Sequence, residues 1–202
     1  MLNVIKTALA SSTAKIAVVT NNIANVGTTG FKRSEALFED VYLTGGGGNG
    51  PTPGSGSKIQ INRVTHHPAE LKRTGVTSDL GINGWGMFML GKPNPSKPGE
   101  MTGEISYTRN GSFQLDGDGF LTSNDGQYVL SKESKPIQVD FSKNGIPLSE
   151  FNVDPDGNVM SAYGMASAEP GEQLGLAAWD NPSALAQMGN GRFSASQLQP
   201  SN

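Results

Sequence analysis

From Leu2 to Val26 the large apolar residues recur at steps of three and four: Leu2, Ile5, Leu9, then Ile16, Val19, Ile23 and Val26, with Ser12 in the one gap. On a helix this spacing gathers the series into one narrow stripe, the a/d seam of a coiled coil. Ala8, Ala10, Ala14, Ala17 and Ala24 lie beside the stripe and leave room for a partner helix to approach closely. Water cannot satisfy such a seam, so the pattern predicts an N-terminal helix that requires another helix. No later segment offers an apolar series of matching length. The seam residues Leu2, Ile5, Leu9, Ile16, Val19, Ile23 and Val26 are therefore the candidate assembly interface. Asn25, Gly27 and Gly30 tolerate the left-handed conformation that closes a helix C-terminus, and Phe31 stands just past the break.

Beyond this arm the period changes. Residues 34–43 read equally as a short helix or an extended segment. Residues 44–57 are small, polar and rich in glycine and proline, the composition of a flexible linker. Residues 59–64 then alternate apolar and polar as a half-buried strand does. Short strand-like runs follow at 79–82, 85–90, 104–109, 112–115, 120–121 and 128–130. Asn83-Gly84, Asn110-Gly111, Asp118-Gly119 and Asp125-Gly126 separate them, and such dipeptides favour the primed turns that close hairpins. Phe113-x-Leu115-Asp116-x-Asp118-Gly119-x-Leu121 recurs as Phe151-x-Val153-Asp154-x-Asp156-Gly157-x-Val159, which predicts two similar hairpins. Residues 174–179 read as a further strand. Residues 182–188 read as a short helix capped by Asp180 or Asn181, and 189–191 as a turn.

The predicted fold class is mainly β with an N-terminal α-helical arm: a small all-β domain of hairpins and meanders plus a coiled-coil-type helix. Composition agrees. Only 35% of the 202 residues are hydrophobic, while Gly 27 and Pro 12 suit many short strands joined by tight turns. A net charge of -3 with 16% charged residues places the chain outside the disordered class. No acid precedes Glu35, and only Arg192 stands against the acids that follow Asp154, an asymmetry that could steer association. The basic residues are scattered through an acidic chain, which argues against a nucleic-acid partner. No stretch approaches the about 20 apolar residues of a membrane span, and the apolar run before Ala8-Leu9-Ala10 is too short for a cleavable signal.

Candidate chemistry is sparse. With Cys 0 there is no thiolate. His66 and His67 are adjacent and would point to opposite faces of a strand, so a shared metal is disfavoured. Asp154, Asp156 and Asn158 alternate as in a calcium loop, but Val159 and Met165 occupy the sixth and twelfth places, where that loop needs Gly and Glu. Trp85 and Trp179 could stack on sugars, although core packing is the commoner role for a tryptophan in such runs. No catalytic, cofactor or metal site is predicted, and the expectation is that the chain is not an enzyme.

Asn21-Asn22-Ile23-Ala24-Asn25-x-x-Thr28-x-Gly30-Phe31-Lys32 closely resembles the N-terminal signature of the bacterial flagellar axial proteins, the rod, hook and hook-associated subunits. The likeness continues at Phe38-Glu39-Asp40, at Asp79-Leu80-x-Ile82-x-Gly84-x-Gly86-x-Phe88, at residues 107–113 with Asp118-Gly119-x-Leu121, and from Leu176 through Asn181-Pro182 to Gly189-Asn190. It implies an axial helix and junction at 1–33, a linker at 34–57, an all-β domain at 58–193, and a tail at 194–202 leading towards the C-terminal helix that family members carry. It also implies a structural subunit without a cofactor, exported by the flagellar type III apparatus without a cleaved signal. Its partners would be copies of itself and other axial proteins, in the periplasmic rod of the basal body. Hook subunits carry a further outer β domain, so the size of the chain favours a rod subunit over a hook or hook-cap subunit. A secreted carbohydrate-binding or hydrolytic β domain is the alternative from another class.

Overall fold

The computed structural model describes residues 2–42, 54–64, 71, 73–195 and 200. These form two compact units, residues 1–67 and residues 68–202. The expected mainly β fold with one N-terminal helix is what the described residues adopt. The histidine pair and most of the glycine-rich stretch, 43–53, lie outside them.

The first unit is a helix, α1 (Leu2–Ala24), with an antiparallel pair of strands, β1 (Ser34–Tyr42) and β2 (Gly54–Val64). Register runs from Ser34 opposite Val64 to Tyr42 opposite Gly54, with irregularities between Leu37 and Phe38 and between Asp40 and Tyr42. The ambiguous segment at 34–43 is thus extended. Composition misjudged the two ends of the supposed linker at 34–57, because both belong to this ladder. At Gly56, in the left-handed region with φ 106°, an added Cβ would run into the Thr7 side chain. Glycine there serves close approach of strand to helix as well as flexibility.

In the second unit the meander begins with β3 (Met87–Gly91), β4 (Ser106–Thr108), β5 (Phe113–Leu115), β6 (Leu121–Ser123) and β7 (Tyr128–Val129). It continues with β8 (Ser142–Lys143), β9 (Ile146–Val153), β10 (Asn158–Tyr163), β11 (Glu169–Gln173), β12 (Leu176–Ala177), β13 (Ala186–Gly189) and β14 (Arg192–Ser194). The larger sheet runs β13-β14-β4-β3-β7-β6-β5, with β12 also paired to β3; β11-β10-β9-β8 form a second sheet. Strand alternation sorts the apolar side chains into two clusters. Leu90, Leu121 and Val129 join Phe88, Phe113, Ile137, Val139, Val159 and Leu174, while the intervening Phe120, Tyr128 and Leu130 gather with Met89, Met101 and Ile105. A sheet buried on both faces needs apolar residues at consecutive positions, which is why β3 and β7 read as continuous apolar runs.

The connections show one turn used repeatedly. In 116–120 the Asp116 Oδ1 accepts hydrogen bonds from the backbone N–H of Asp118 (3.0 Å) and Phe120 (2.8 Å), and Gly119 sits at φ 83°. In 154–158 Asp154 Oδ1 accepts from Asp156 (3.0 Å) and Asn158 (2.7 Å), with Gly157 again at φ 83°. The internal repeat is therefore a repeat of hairpins. The same backbone pattern closes 123–127 and 131–135, where a serine heads the turn and Gly126 (φ 72°) or Ser134 (φ 60°) takes the left-handed place. These turns have a single positive-φ residue, so the Asp-Gly dipeptides are not the primed turns expected. Primed geometry occurs at Asn144-Gly145 and Asn190-Gly191, where both residues have positive φ between directly paired strands.

Three other expectations need correction. Residues 79–82 make only an isolated bridge, Asp79 to Ser112. Pro182–Ala184 is a single 3-10 turn without a side-chain cap, and Ala186–Gly189 is a strand, because the Asn190-Gly191 hairpin pairs it with β14. A segment of that length has too little helical propensity to resist such pairing. Trp179 is buried and meets Tyr107 edge-to-face at 4.5 Å, as expected of a core residue. Trp85 is 65% exposed: Gly84 and Gly86 flank it at φ 123° and 122°, which breaks the strand alternation around it.

Two outcomes follow for the turns. A Cβ at Gly119 would collide with the carbonyl oxygen of Val139, so Gly119→Ala is expected to cost about 2 kcal/mol or more, whereas Ser134→Gly relieves a left-handed serine and gains about 0.5–1 kcal/mol. Urea unfolding of each variant checks both signs. The Asp154 carboxylate is held below the usual aspartate range, first by the Asn158 side-chain amide (2.8 Å) and then by backbone N–H groups. A depressed folded pKa gives stability that is present above the unfolded value near about 3.9 and is lost as pH falls through the folded value. Unfolding midpoints of the parent chain and Asp154→Asn are therefore expected to converge as pH drops below about 4.

Candidate functional site

Helix α1 has two faces with opposite fates. Leu2, Ile5, Leu9, Ile16, Val19, Ile23 and, just past its end, Val26 are between 47% and 86% exposed. Thr7, Ala14, Val18 and Asn22 are half-buried and Ser11 is only 9% exposed. At about 100° per residue these last five fall on the side away from the apolar stripe. That side faces the strands: the Ser11 hydroxyl donates to the Ser57 carbonyl at 3.2 Å and lies 2.9 Å from the Ser57 hydroxyl. Lys6 and Lys15 are the charged residues of the helix, and both are exposed.

The stripe was legible as a period in the sequence. The opposite face was missed, although it too repeats by threes and fours, at 7, 11, 14, 18 and 22. Apart from Val18 its residues are small or polar, and a search for apolar periodicity passes over them. The consequence is physical. The helix rests on its own chain through small side chains and hydrogen bonds, and the stripe stays in solvent.

The signature residues 21–32 form the exit from the helix. Asn25 lies just past its end; its Nδ2 donates to the Asn21 carbonyl at 2.9 Å, and its Oδ1 accepts from the Thr28 hydroxyl at 3.3 Å. The Thr28 N–H donates to the Asn25 carbonyl (3.0 Å), and the Phe31 N–H to the Thr28 carbonyl (3.2 Å). Of the three residues expected to turn left-handed, only Gly30 does so, at φ 71°. Asn25 closes the helix by side-chain bonding instead. Phe31 and Lys32 are half-buried, and Asn21 is exposed. Asn22 leaves this local network: its Nδ2 donates to the Ser34 carbonyl at 2.8 Å, and its Oδ1 accepts the Ser34 N–H at 3.0 Å.

No helix is long and apolar enough to cross a membrane among the described residues. What the first unit does offer is a preformed apolar ridge on a helix anchored from behind, a surface suited to packing against other helices.

Residues 2–32 match the family model described as flagella basal body rod protein, and residues 81–161 match that of the flagellar hook protein FlgE/F/G D1 domain. The flagellar basal-body rod protein FlgG of Bacillus subtilis is 30% identical over 191 residues, covering 89% of this chain and 67% of that protein. FlgG of Buchnera aphidicola subsp. Acyrthosiphon pisum is 30% identical, covering 97% of this chain and 74% of that protein. The flagellar hook protein FlgE of Caulobacter vibrioides is 34% identical, over 64% of this chain but 21% of the hook protein.

The two faces of α1 are expected to respond oppositely in the isolated subunit. Changing Ile16 and Ile23 together to Asp alters exposed positions and shifts unfolding by no more than about 0.5 kcal/mol. Ser11→Trp forces a large ring between helix and strand and costs about 1–3 kcal/mol. Thermal and denaturant unfolding, followed through amide signals of the first unit, distinguishes them.

Proposed function

The chain belongs to the flagellar axial family of basal-body rod and hook proteins, and from that premise we propose that it works as a rod subunit assembling through the outward stripe of α1. It is a structural subunit of the flagellar basal-body rod, and it associates with other flagellar axial proteins. The rod reading is favoured over the hook reading because the likeness to the FlgG rod proteins named above runs through most of both chains, whereas the hook likeness covers a fifth of its relative.

The observation that carries the assembly mechanism is the exposure of Leu2, Ile5, Leu9, Ile16, Val19, Ile23 and Val26 on one side of a helix whose other side lies on β1 and β2. Burying such a row against helices of neighbouring copies would contribute about 1.5–3 kcal/mol for each large side chain. Asn21, Asn22, Asn25, Thr28, Gly30, Phe31 and Lys32 would then form the junction between axial helix and outer β domain. In this reading α1 is the axial part, β1 and β2 carry the chain away from it, and the unit of residues 68–202 supplies the β domain. Partners include copies of the chain itself and the flagellar type III export apparatus, through which it passes without a cleaved signal to the periplasmic rod. It works through surfaces and catalyses no reaction.

The test is made in cells whose only copy of the gene carries Ile16→Asp and Ile23→Asp. At a buried contact the two carboxylates would be unpaired, at several kcal/mol per site. The variant is expected to be exported but not incorporated, leaving basal bodies arrested at the rod. Normal swimming would rule the mechanism out.

A further inference from the structure

We propose that Asn22 is the positioning residue of the junction, a clasp whose side-chain amide stands in for a strand partner and fixes how β1 and β2 sit on α1. The assembly consequence rests on the rod reading; the geometry does not.

The clasp uses both backbone groups of one residue. Ser34 is the first residue of β1 and lies opposite Val64 of β2. Its N–H donates to Asn22 Oδ1 at 3.0 Å, and its C=O accepts from Asn22 Nδ2 at 2.8 Å. The two backbone groups of a strand residue point to the same side. Both are therefore directed away from β2 at this position, along an edge that would otherwise be unpaired. A primary amide offers a donor and an acceptor with the spacing of a peptide group, so asparagine completes the ladder where no third strand exists. Aspartate keeps the acceptor but sets a carboxylate against the Ser34 carbonyl. Glutamine carries the amide one methylene too far, and alanine leaves both backbone groups unpaired.

Position adds the functional weight. Asn22 is on the strand-facing side of the helix, within one turn of Val19, Ile23 and Val26 on the outward side. In the intervening exit Gly30 is left-handed, and the bonds of Thr28 to Asn25 and of Phe31 to Thr28 are local ones within the exit itself. The clasp spans 12 residues and ties the helix to the strand. With Ser11 bonded to Ser57 further up the helix, it gives two fixed points, and two points set the rotation of the stripe relative to the strands. Neighbouring Asn21 is exposed and supplies its backbone carbonyl to Asn25, so it serves as an internal control.

The experiment compares the full chain with Asn22→Ala, Asn22→Asp, Asn22→Gln and Asn21→Ala. In the free subunit, amide exchange at Ser34 is expected to be about tenfold faster in Asn22→Ala and Asn22→Gln than in the parent and in Asn21→Ala, whereas Asn22→Asp keeps the acceptor for that N–H. Helix dichroism and β-domain melting should stay at parental values, which a merely structural role would not allow. In cells lacking the chromosomal gene, the Asn22 variants are expected to give about tenfold fewer completed basal bodies than the parent. Equal Ser34 exchange in parent and Asn22→Gln would overturn the clasp, and so would lost protection with parental assembly. Asn22→Gln keeps the polar amide and keeps the test decisive if Asn22→Ala unfolds. Failure of the parent chain to restore basal bodies would count against the rod reading, with the exchange ratio still deciding the clasp.

Discussion

A helix that carries a row of large apolar side chains must cover it, because exposed apolar surface is the main free-energy liability of a folded chain. In a free-standing domain the helix would turn that row inward. Here α1 turns it outward, and its back is occupied by β1 and β2 through Ser11 and Asn22. The arrangement depends on the back being mostly small or polar, with Val18 the exception. Had positions 7, 11 and 14 been large and apolar, the helix could have rolled over and buried the stripe on its own strands. Small residues give the strands close access and offer little to gain from rolling. The subunit is thereby left with a surface that neighbouring helices can satisfy.

The β domain answers a different requirement. It has few large apolar residues for its length, and it compensates by burying the main sheet on both sides, so that adjacent positions such as Tyr128, Val129 and Leu130 serve different clusters. Tight connections keep that sheet compact. One hydrogen-bonded turn, headed by Asp or Ser and closed by a left-handed residue, links β5 to β6, β6 to β7, β7 to the following segment and β9 to β10. Reuse of one turn fixes register repeatedly at low cost in chain length, which suits a domain assembled from strands of two or three residues. The ion pair of Lys143 with Glu169 at 2.6 Å joins the two outer strands of the smaller sheet. Both side chains are largely solvated, so the pair contributes shape more than stability.

How much was legible in advance differs from feature to feature for definite reasons. Local periodicity and local chemistry were readable: the stripe from Leu2 to Val26, the paired hairpins at Asp116 and Asp154, the left-handed turn at Gly30 and the mainly β class. Each depends on residues a few positions apart, whose spacing maps directly onto helix or strand geometry. Turn type was only partly readable, since Asp-Gly and Asn-Gly look alike in sequence. The aspartate two positions before Asp118 chooses the geometry by accepting backbone hydrogen bonds, a preference that a dipeptide rule ignores. What only the tertiary structure decided was partnership. Ser34 meets Asn22, Ser57 meets Ser11, Ala186 meets Ser194, and Trp85 points to solvent while Trp179 does not. These outcomes rest on which distant backbone arrives at a given place, and polar or small residues carry no periodic mark of the partner they will find. The sequence by itself determined that the first helix has an apolar side and that the rest is built of hairpins. Only the folded chain determined that this side faces outward, because that depends on what covers the other one.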